Sequence, residues 1–459
     1  MSIAHLRRAS LPSVALLLLL ISVLLVTACS DSDSEPGETT IQDADSLDDS
    51  QVDVTPEIAA EVAVEVSEMT TLDADTGDWV APPQVPQCVG EFCAAGPESA
   101  PDPKEWGPFP VGVRTVSWVI PDLTNEDGSP RTLRTEIWYP TSEEYRDSPR
   151  HAYDLKSDAP DWAKYVFDGV DIAAAETSAA FDAPIRDDLG PFPLVVFSHG
   201  AYGIRFQSYF HTIQLASHGY VVASADHEQN TLYDILVTGY DDAGLLPSAQ
   251  RRPLDIAFLI NKMEAKSRDA TDDFYRLVDT FRVGVVGHSF GGFAAFPPAL
   301  EDPRVKAIVP LAPAAKMVEP FMKMLLTDWS FPTMIMGGDL DQTLPFEIFM
   351  WNAFLDMQPP KWFLRFPRCG HYSFTNMCDL DLEYVIANMD FPDAEDALRD
   401  GCSPVDNWNW NEAHVAVNHF AIAFLNWKLR GSEGSFNDYL QPGADAPWGA
   451  EVEFTAVPE

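Results

Sequence analysis

The sequence predicts an α/β protein: a doubly wound, mostly parallel sheet with helices on both faces and an antiparallel hairpin on its N-terminal side. Three observations predict it. Short apolar runs recur, such as Pro193–Ser198, Tyr220–Asp226 and Val305–Leu311, as strands buried on both faces require. They alternate with longer apolar-faced stretches, Tyr209–Ser217, Arg252–Met263 and Glu412–Leu429, which is the order of strands joined by crossover helices. The third is Arg282–Phe296, an apolar run, a glycine-flanked turn and then a small-residue helical run.

Each element follows in chain order. Val111–Ile120 and Thr132–Pro140 read as the two strands of a hairpin around the turn cluster Asn125–Pro130. Residues 141–190 are polar and irregular and read as surface loops with a helical patch near Ala173. Pro193–Ser198 is the first buried strand, the Tyr209–Ser217 helix ends at His218-Gly219, and Tyr220–Asp226 is the next strand. After the Arg282 stretch come strands at Val305–Leu311 and Pro332–Gly337, a helix at Phe346–Met357, a last strand at Lys361–Phe366 and the long helix Glu412–Leu429. The apolar residues between Met317 and Trp329 fit either a lid or an ordinary core helix.

The ends differ in texture. Arg7 and Arg8 precede the apolar run Leu11–Val26, which small residues follow, the pattern of an export signal over residues 1–28. Cys29 directly after Val26-Thr27-Ala28 resembles a bacterial lipobox, which implies lipidation at Cys29 and a cell-envelope location; an ordinary cleaved signal and secretion is the other reading. Residues 29–105 are acidic, Pro-rich and poor in aromatics, so they form a linker that cannot bury enough apolar surface to order itself. The folded domain is expected over 106–430 and an acidic tail over 431–459. A formal net charge of −42 opposes nucleic acid, whose phosphates demand positive charge. Among six cysteines the expected pairs are Cys88 with Cys93 and Cys378 with Cys402, with Cys369 a rival partner. No C-x-x-C is present, and neither a metal nor a cofactor is expected.

The chemistry centres on Gly287-His288-Ser289-Phe290-Gly291. G-x-S-x-G between a buried strand and a helix is a nucleophile elbow, with glycines where the turn leaves no room for Cβ atoms. A serine hydroxyl needs a base to take its proton and a carboxylate to orient that base. In this fold the order is Ser, acid, His. Of the histidines after Ser289, His371 stands in a loop directly after a strand, while His414 and His419 lie on the C-terminal helix. The acid is expected in Gly337-Gly-Asp-Leu-Asp-Gln-Thr-Leu-Pro345, which offers Asp339 and Asp341; the loop resembles the Gly-x-x-x-Asp-x-x-x-Pro of related hydrolases, which implies Asp341 as acid and leaves Asp339 as a turn residue and its rival. The oxyanion needs preplaced donors, expected at the N–H groups of Phe290 and Ala201. Tyr202 and Phe290 are expected to line the substrate pocket. His199, His288 and His227 read as supporting loop histidines.

Phe197-Ser-His-Gly-Ala201, Leu215-Ala-Ser-His-Gly-Tyr220, Asp226-His227, Gly287-His-Ser-Phe-Gly-Gly292 and Gly370-His-Tyr-Ser373 together resemble the α/β-hydrolase fold of the plasma-type platelet-activating factor acetylhydrolases and of the neighbouring dienelactone-hydrolase-like and cutinase-like polyester hydrolases. The resemblance spans about residues 110–430 and implies a serine ester hydrolase acting on a small-molecule or lipid ester. It departs at two points. Plasma-type acetylhydrolases carry the acid soon after the elbow, where this chain has Leu311-Ala-Pro-Ala-Ala315; dienelactone hydrolases use cysteine where this chain has Ser289. The functions expected are therefore a carboxylic ester hydrolase, or a phospholipid acetylhydrolase or polyester hydrolase on the same machinery, against a non-catalytic surface lipoprotein on a hydrolase scaffold.

Overall fold

In the computed structural model the described residues are 88–89, 92–93, 101–125, 127–239, 244–316, 321–380, 386–387, 398–440 and 452–457. The expected signal segment, Cys29 and most of the linker lie outside them. A two-strand ladder, β1 (Cys88–Val89) with β2 (Phe92–Cys93), precedes the main sheet. The sheet strands are β3 (Val111–Thr124), β4 (Pro130–Pro140), β5 (Arg150–Tyr153), β6 (Ala175–Phe181), β7 (Phe192–Ser198), β8 (Val221–Ala225), β9 (Val278–His288), β10 (Val305–Leu311), β11 (Thr333–Gly338), β12 (Lys361–Phe366) and β13 (Glu453–Val457). Their order across the eleven-stranded sheet is β13-β12-β11-β10-β9-β7-β8-β4-β3-β6-β5.

The middle of that order is parallel. β8, β7, β9, β10, β11 and β12 pair in parallel throughout, and β7 and β8 swap places relative to the chain. Such a reversal opens a crevice at the carboxyl ends of the strands. The register brings those ends into one row: Ser198 pairs with Gly287, His288 with Leu311, Leu311 with Met336, and Gly338 with Phe366. Every residue of β7, β8 and β11 is buried. Helices Leu245–Arg268 and Trp410–Arg430 pack on the sheet through faces carrying Leu254, Leu259 and Met263, and Ala416, Phe420 and Phe424. Each such Leu, Met or Phe side chain removed from water contributes about 1.5–3 kcal/mol.

The central elements stand as expected, and the differences lie at the margins. Residues 141–190 are not all loop: Arg150–Tyr153 pairs with Ala175–Phe181 at one sheet edge, and no helix forms near Ala173. These strands are short and partly exposed, so no apolar run marks them. Lys361–Phe366 is not the last strand, because Glu453–Val457 pairs with it antiparallel. Residues 431–459 are thus only partly a tail; Glu433–Tyr439 is a helix that Ser432 caps. The Arg252 helix begins at Leu245 and continues through Pro253. Within the Met317–Trp329 stretch, Met322, Leu326 and Trp329 are buried, which is a core helix rather than a lid, while residues 317–320 lie outside the described residues. Among the described residues no helix is long and apolar enough to cross a membrane.

Candidate active site

Ser289 stands at the turn between β9 and the short helix Phe290–Ala294. Its backbone is held at φ 55°, ψ −120°, a region that costs a non-glycine residue on the order of 1–3 kcal/mol and recurs at functional turns. The flanking glycines are needed sterically. A Cβ on Gly287 would sit 2.2 Å from the Gly291 carbonyl oxygen, and one on Gly291 would sit 2.0 Å from that of Ser198. The turn is anchored by Ser289 N–H to Leu311 O (2.9 Å) and by Ala314 N–H to Ser289 O (3.0 Å). Ser289 keeps 9% of its surface in solvent.

His371 begins a 3-10 turn after β12 and is 2% exposed. Its Nδ1 lies 2.8 Å from Asp341 Oδ2, and the other Asp341 oxygen accepts from Leu344 N–H at 2.7 Å. A carboxylate only accepts, so Nδ1 carries the proton and Nε2 is left as the basic nitrogen. Burial alone would depress the imidazole; the Asp341 charge and hydrogen bond outweigh it and hold His371 above its ordinary value. Asp339 has a different job: its oxygens accept from Arg368 N–H (2.6 Å) and Arg365 Nη2 (3.1 Å). Of the two candidate acids, Asp341 is the one that meets the histidine. Gly338 lets the two loops meet, since a Cβ there would lie 2.2 Å from Cys369 O.

The pair is braced from behind. Asp400 Oδ2 accepts from Gln342 N–H, Thr343 N–H and Thr343 Oγ1 at 2.8–2.9 Å, and its carbonyl accepts from Tyr372 N–H at 2.8 Å. The expected Cys378–Cys402 disulfide closes this region, with a Cα–Cα distance of 5.3 Å. Cys369 is a free, buried thiol that desolvation pushes up to about 12. The expected Cys88–Cys93 bond lies outside the side chains described.

The N–H groups of Ala201 and Phe290 have no protein acceptor among the described residues. They follow β7 and β9, which are neighbours in the sheet, so both stand at one rim. Tyr202 is half-buried at φ 52°. The Phe290 ring, expected at the substrate pocket, is largely inside the protein. It is 2% exposed, stacked on Phe293 at 5.6 Å and under the Arg252 guanidinium at 4.9 Å, so its apolar surface belongs to the core.

The supporting histidines are all buried. His288 Nε2 donates to His371 O (3.0 Å), which leaves Nδ1 to accept from Gln207 Nε2 (2.9 Å), and Gln207 Oε1 accepts from Gly200 N–H (3.1 Å). His227 Nδ1 donates to Asp255 Oδ2 (2.7 Å), and its Nε2 lies 2.9 Å from Ser198 Oγ. That second Ser–His–Asp line is sealed, with all three residues at most 1% exposed, and Arg131 grips Asp255 through both oxygens at 2.6–2.7 Å. Burial would raise Asp255, yet Arg131 holds it down at about 2. Burial lowers His227 to about 4. The line is a strut between β7, β8 and helix Leu245–Arg268 that no substrate reaches. His414 and His419 are buried as well; His414 Nε2 donates to Thr375 O at 2.9 Å. Gln207, Arg252, Asp255 and Asp400 were not singled out in the sequence, where nothing distinguishes a buried polar side chain from a surface one.

Comparison with known proteins fits this geometry. A family model described as PET hydrolase-like matches residues 192–391, a span that contains Ser289, Asp341 and His371. One described as platelet-activating factor acetylhydrolase, isoform II, matches residues 97–238. Cutinase 2 of Thermobifida cellulosilytica is 32% identical over 137 residues, 29% of this chain and 41% of that protein. Cutinase est1 of Thermobifida alba is 30% identical over 132 residues, 29% of this chain and 36% of the relative. The platelet-activating factor acetylhydrolase of Cavia porcellus is 22% identical over 293 residues, 55% of this chain and 60% of the relative. The chain thus spans about a third to three fifths of the length of these relatives. Among solved structures, the ferulic acid esterase from Streptomyces cinnamoneus superposes with a TM-score of 0.54 at 22% identity, covering 76% of this chain and 96% of that one. The fold is that of the α/β-hydrolases.

Proposed function

We propose that this chain, an α/β-hydrolase by fold and by its matches to esterase families, is a serine carboxylic ester hydrolase with Ser289, His371 and Asp341 as its triad. The single observation that carries the reading is the buried His371–Asp341 pair at 2.8 Å, on the sheet rim where the elbow holds Ser289. His371 Nε2 takes the Ser289 proton as Oγ adds to the ester carbonyl. The carbonyl oxygen becomes negative and is held by the Ala201 and Phe290 N–H groups. Collapse expels the alcohol, which takes the proton from His371 and leaves an acyl-enzyme. Water then attacks, gives its proton to His371, and collapse releases the acid and restores Ser289. Among the described residues Ser289 Oγ has no hydrogen-bond partner, and such contacts tighten when substrate binds.

Hydrolysis of p-nitrophenyl esters of rising chain length by wild type and Ser289→Ala tests the reading. The variant should lose at least about 10³-fold in kcat while staying folded; undiminished turnover would place the chemistry elsewhere. The same series beside an acetyl phospholipid and polyester films separates a small-ester enzyme from a phospholipid acetylhydrolase or a polyester hydrolase. The match of the PET hydrolase-like model across the whole triad span favours polyester or aryl-ester substrates over the phospholipid. Lipid anchoring at Cys29, and with it an envelope location, is proposed from residues 26–29 alone; metabolic lipid labelling that Cys29→Ser abolishes would support it, and labelling unchanged by that substitution would reject it.

A further inference from the structure

Arg252 is fully buried and makes no ion pair among the described residues. Asp255, three residues on, is occupied by Arg131 and His227. Instead the guanidinium is spent on neutral oxygens. Nη1 donates to His199 O, Nη2 to Gly200 O (3.0 Å) and to Asn230 Oδ1, and Nε to Ser248 Oγ (3.1 Å). Its Cζ lies 4.9 Å from the centre of the Phe290 ring. Thus it touches the loop before one expected oxyanion donor and the residue that carries the other.

A trans peptide ties the direction of each N–H to the preceding carbonyl, because the two point opposite ways in one plane. The His199–Gly200 peptide is clamped on both sides, its carbonyl by Arg252 and its N–H by Gln207 Oε1 at 3.1 Å. The Gly200–Ala201 peptide is clamped on its carbonyl side only, by Arg252, His199 Nδ1 (2.7 Å) and Gly203 N–H (3.1 Å). Its free end is the Ala201 N–H, which must point away from Arg252. We propose that Arg252 is a positioning residue of the oxyanion site: it fixes the direction of the Ala201 N–H, supports Phe290, and sets a buried positive charge behind the oxygen that turns negative. The proposal rests on the ester-hydrolase reading above. Burial pulls the guanidinium down to about 9, which still leaves it charged at neutral pH.

The test compares wild type, Arg252→Lys and Arg252→Gln on a p-nitrophenyl ester, with rates expressed per active site titrated by a fluorophosphonate. Inhibition by a trifluoromethyl ketone is measured beside them, since that ketone adds the serine oxygen and holds an oxyanion. Removing a preplaced oxyanion donor costs about 10²–10³-fold in kcat. Arg252→Gln should therefore lose about 10²-fold and Arg252→Lys about 10-fold in kcat, with KM within about threefold, and the ketone should weaken by the same factors. A merely structural role would lower the titrated fraction and the melting temperature without changing kcat per site. If Arg252→Gln does not fold, Arg252→Lys carries the test. Turnover per site within about threefold of wild type in the folded variants would overturn the proposal. Absence of ester hydrolysis by the wild type would overturn the function as well, so the two failures are distinguishable.

Discussion

His371 and Asp341 meet at 2.8 Å in a buried contact, although they lie thirty positions apart and belong to loops after different strands. Asp339, two residues before the acid, turns instead to Arg365 and Arg368. Asp341→Asn leaves the shape but loses the charge and favours the wrong tautomer. It should lower kcat/KM for an activated ester about 10³–10⁴-fold, whereas Asp339→Asn should stay within about threefold on the same scale. Equal losses in both would reject the assignment.

The same pair fixes the pH response. A base works only when deprotonated, and Asp341 holds His371 above its ordinary value, so the acid limb of kcat/KM should have its midpoint above roughly 6.5. Residual activity of Asp341→Asn should show that midpoint moved down, because burial then acts unopposed. The sign for stability is opposite. The pair's contribution is fully present below about 6.5 and fades as pH rises through the folded His371 value. A wild-type midpoint below roughly 6 would contradict the geometry.

The other buried histidines run the other way. Burial lowers His211, His218, His227 and His419 to about 4 and His414 to about 3, and holds His199 and His288 well below the ordinary value. The unfolded chain binds protons at these sites near pH 6.5 and the folded chain does not, so stability falls as pH drops from about 6.5 towards 4. Together they outweigh the one raised histidine. The melting temperature should fall by roughly 10 °C or more between pH 7 and pH 4.5; a flat profile over that range would contradict the neutral buried state.

At the elbow, Gly291→Ala would place a Cβ 2.0 Å from the Ser198 carbonyl oxygen, on backbone that cannot yield cheaply. The variant should lose more than about 2 kcal/mol of stability and nearly all ester turnover. Thermal unfolding and rate per titrated site would check both, and near-wild-type values would contradict the close strand–helix approach.

Part of this arrangement was legible in the chain. The meeting of His371 with the 337–345 loop was legible because glycine-marked turns and strand order put both after neighbouring strands; that Asp341 rather than Asp339 makes the contact was suggested by the loop's resemblance to related hydrolases. The central strands were legible because a strand buried on both faces needs an unbroken apolar run. Arg150–Tyr153, Ala175–Phe181 and Glu453–Val457 were not, since edge strands carry mixed sequences and gain their register from neighbours. Gln207, Arg252, Asp255 and Asp400 were invisible for another reason: their hydrogen bonds join elements far apart in the chain, and only packing reveals that they are inside. The burial of the Phe290 ring was not legible, because a pocket wall and a core look alike as apolar residues; its contacts with Phe293 and Arg252 come from packing.

The most direct measurement is peptide mapping after reaction of the native protein with a fluorophosphonate, which bonds preferentially to a serine that a base activates. One adduct is expected, on Ser289, that Ser289→Ala and His371→Ala both abolish. An unlabelled Ser289 in the folded wild-type protein, or labelling that survives His371→Ala undiminished, would contradict it.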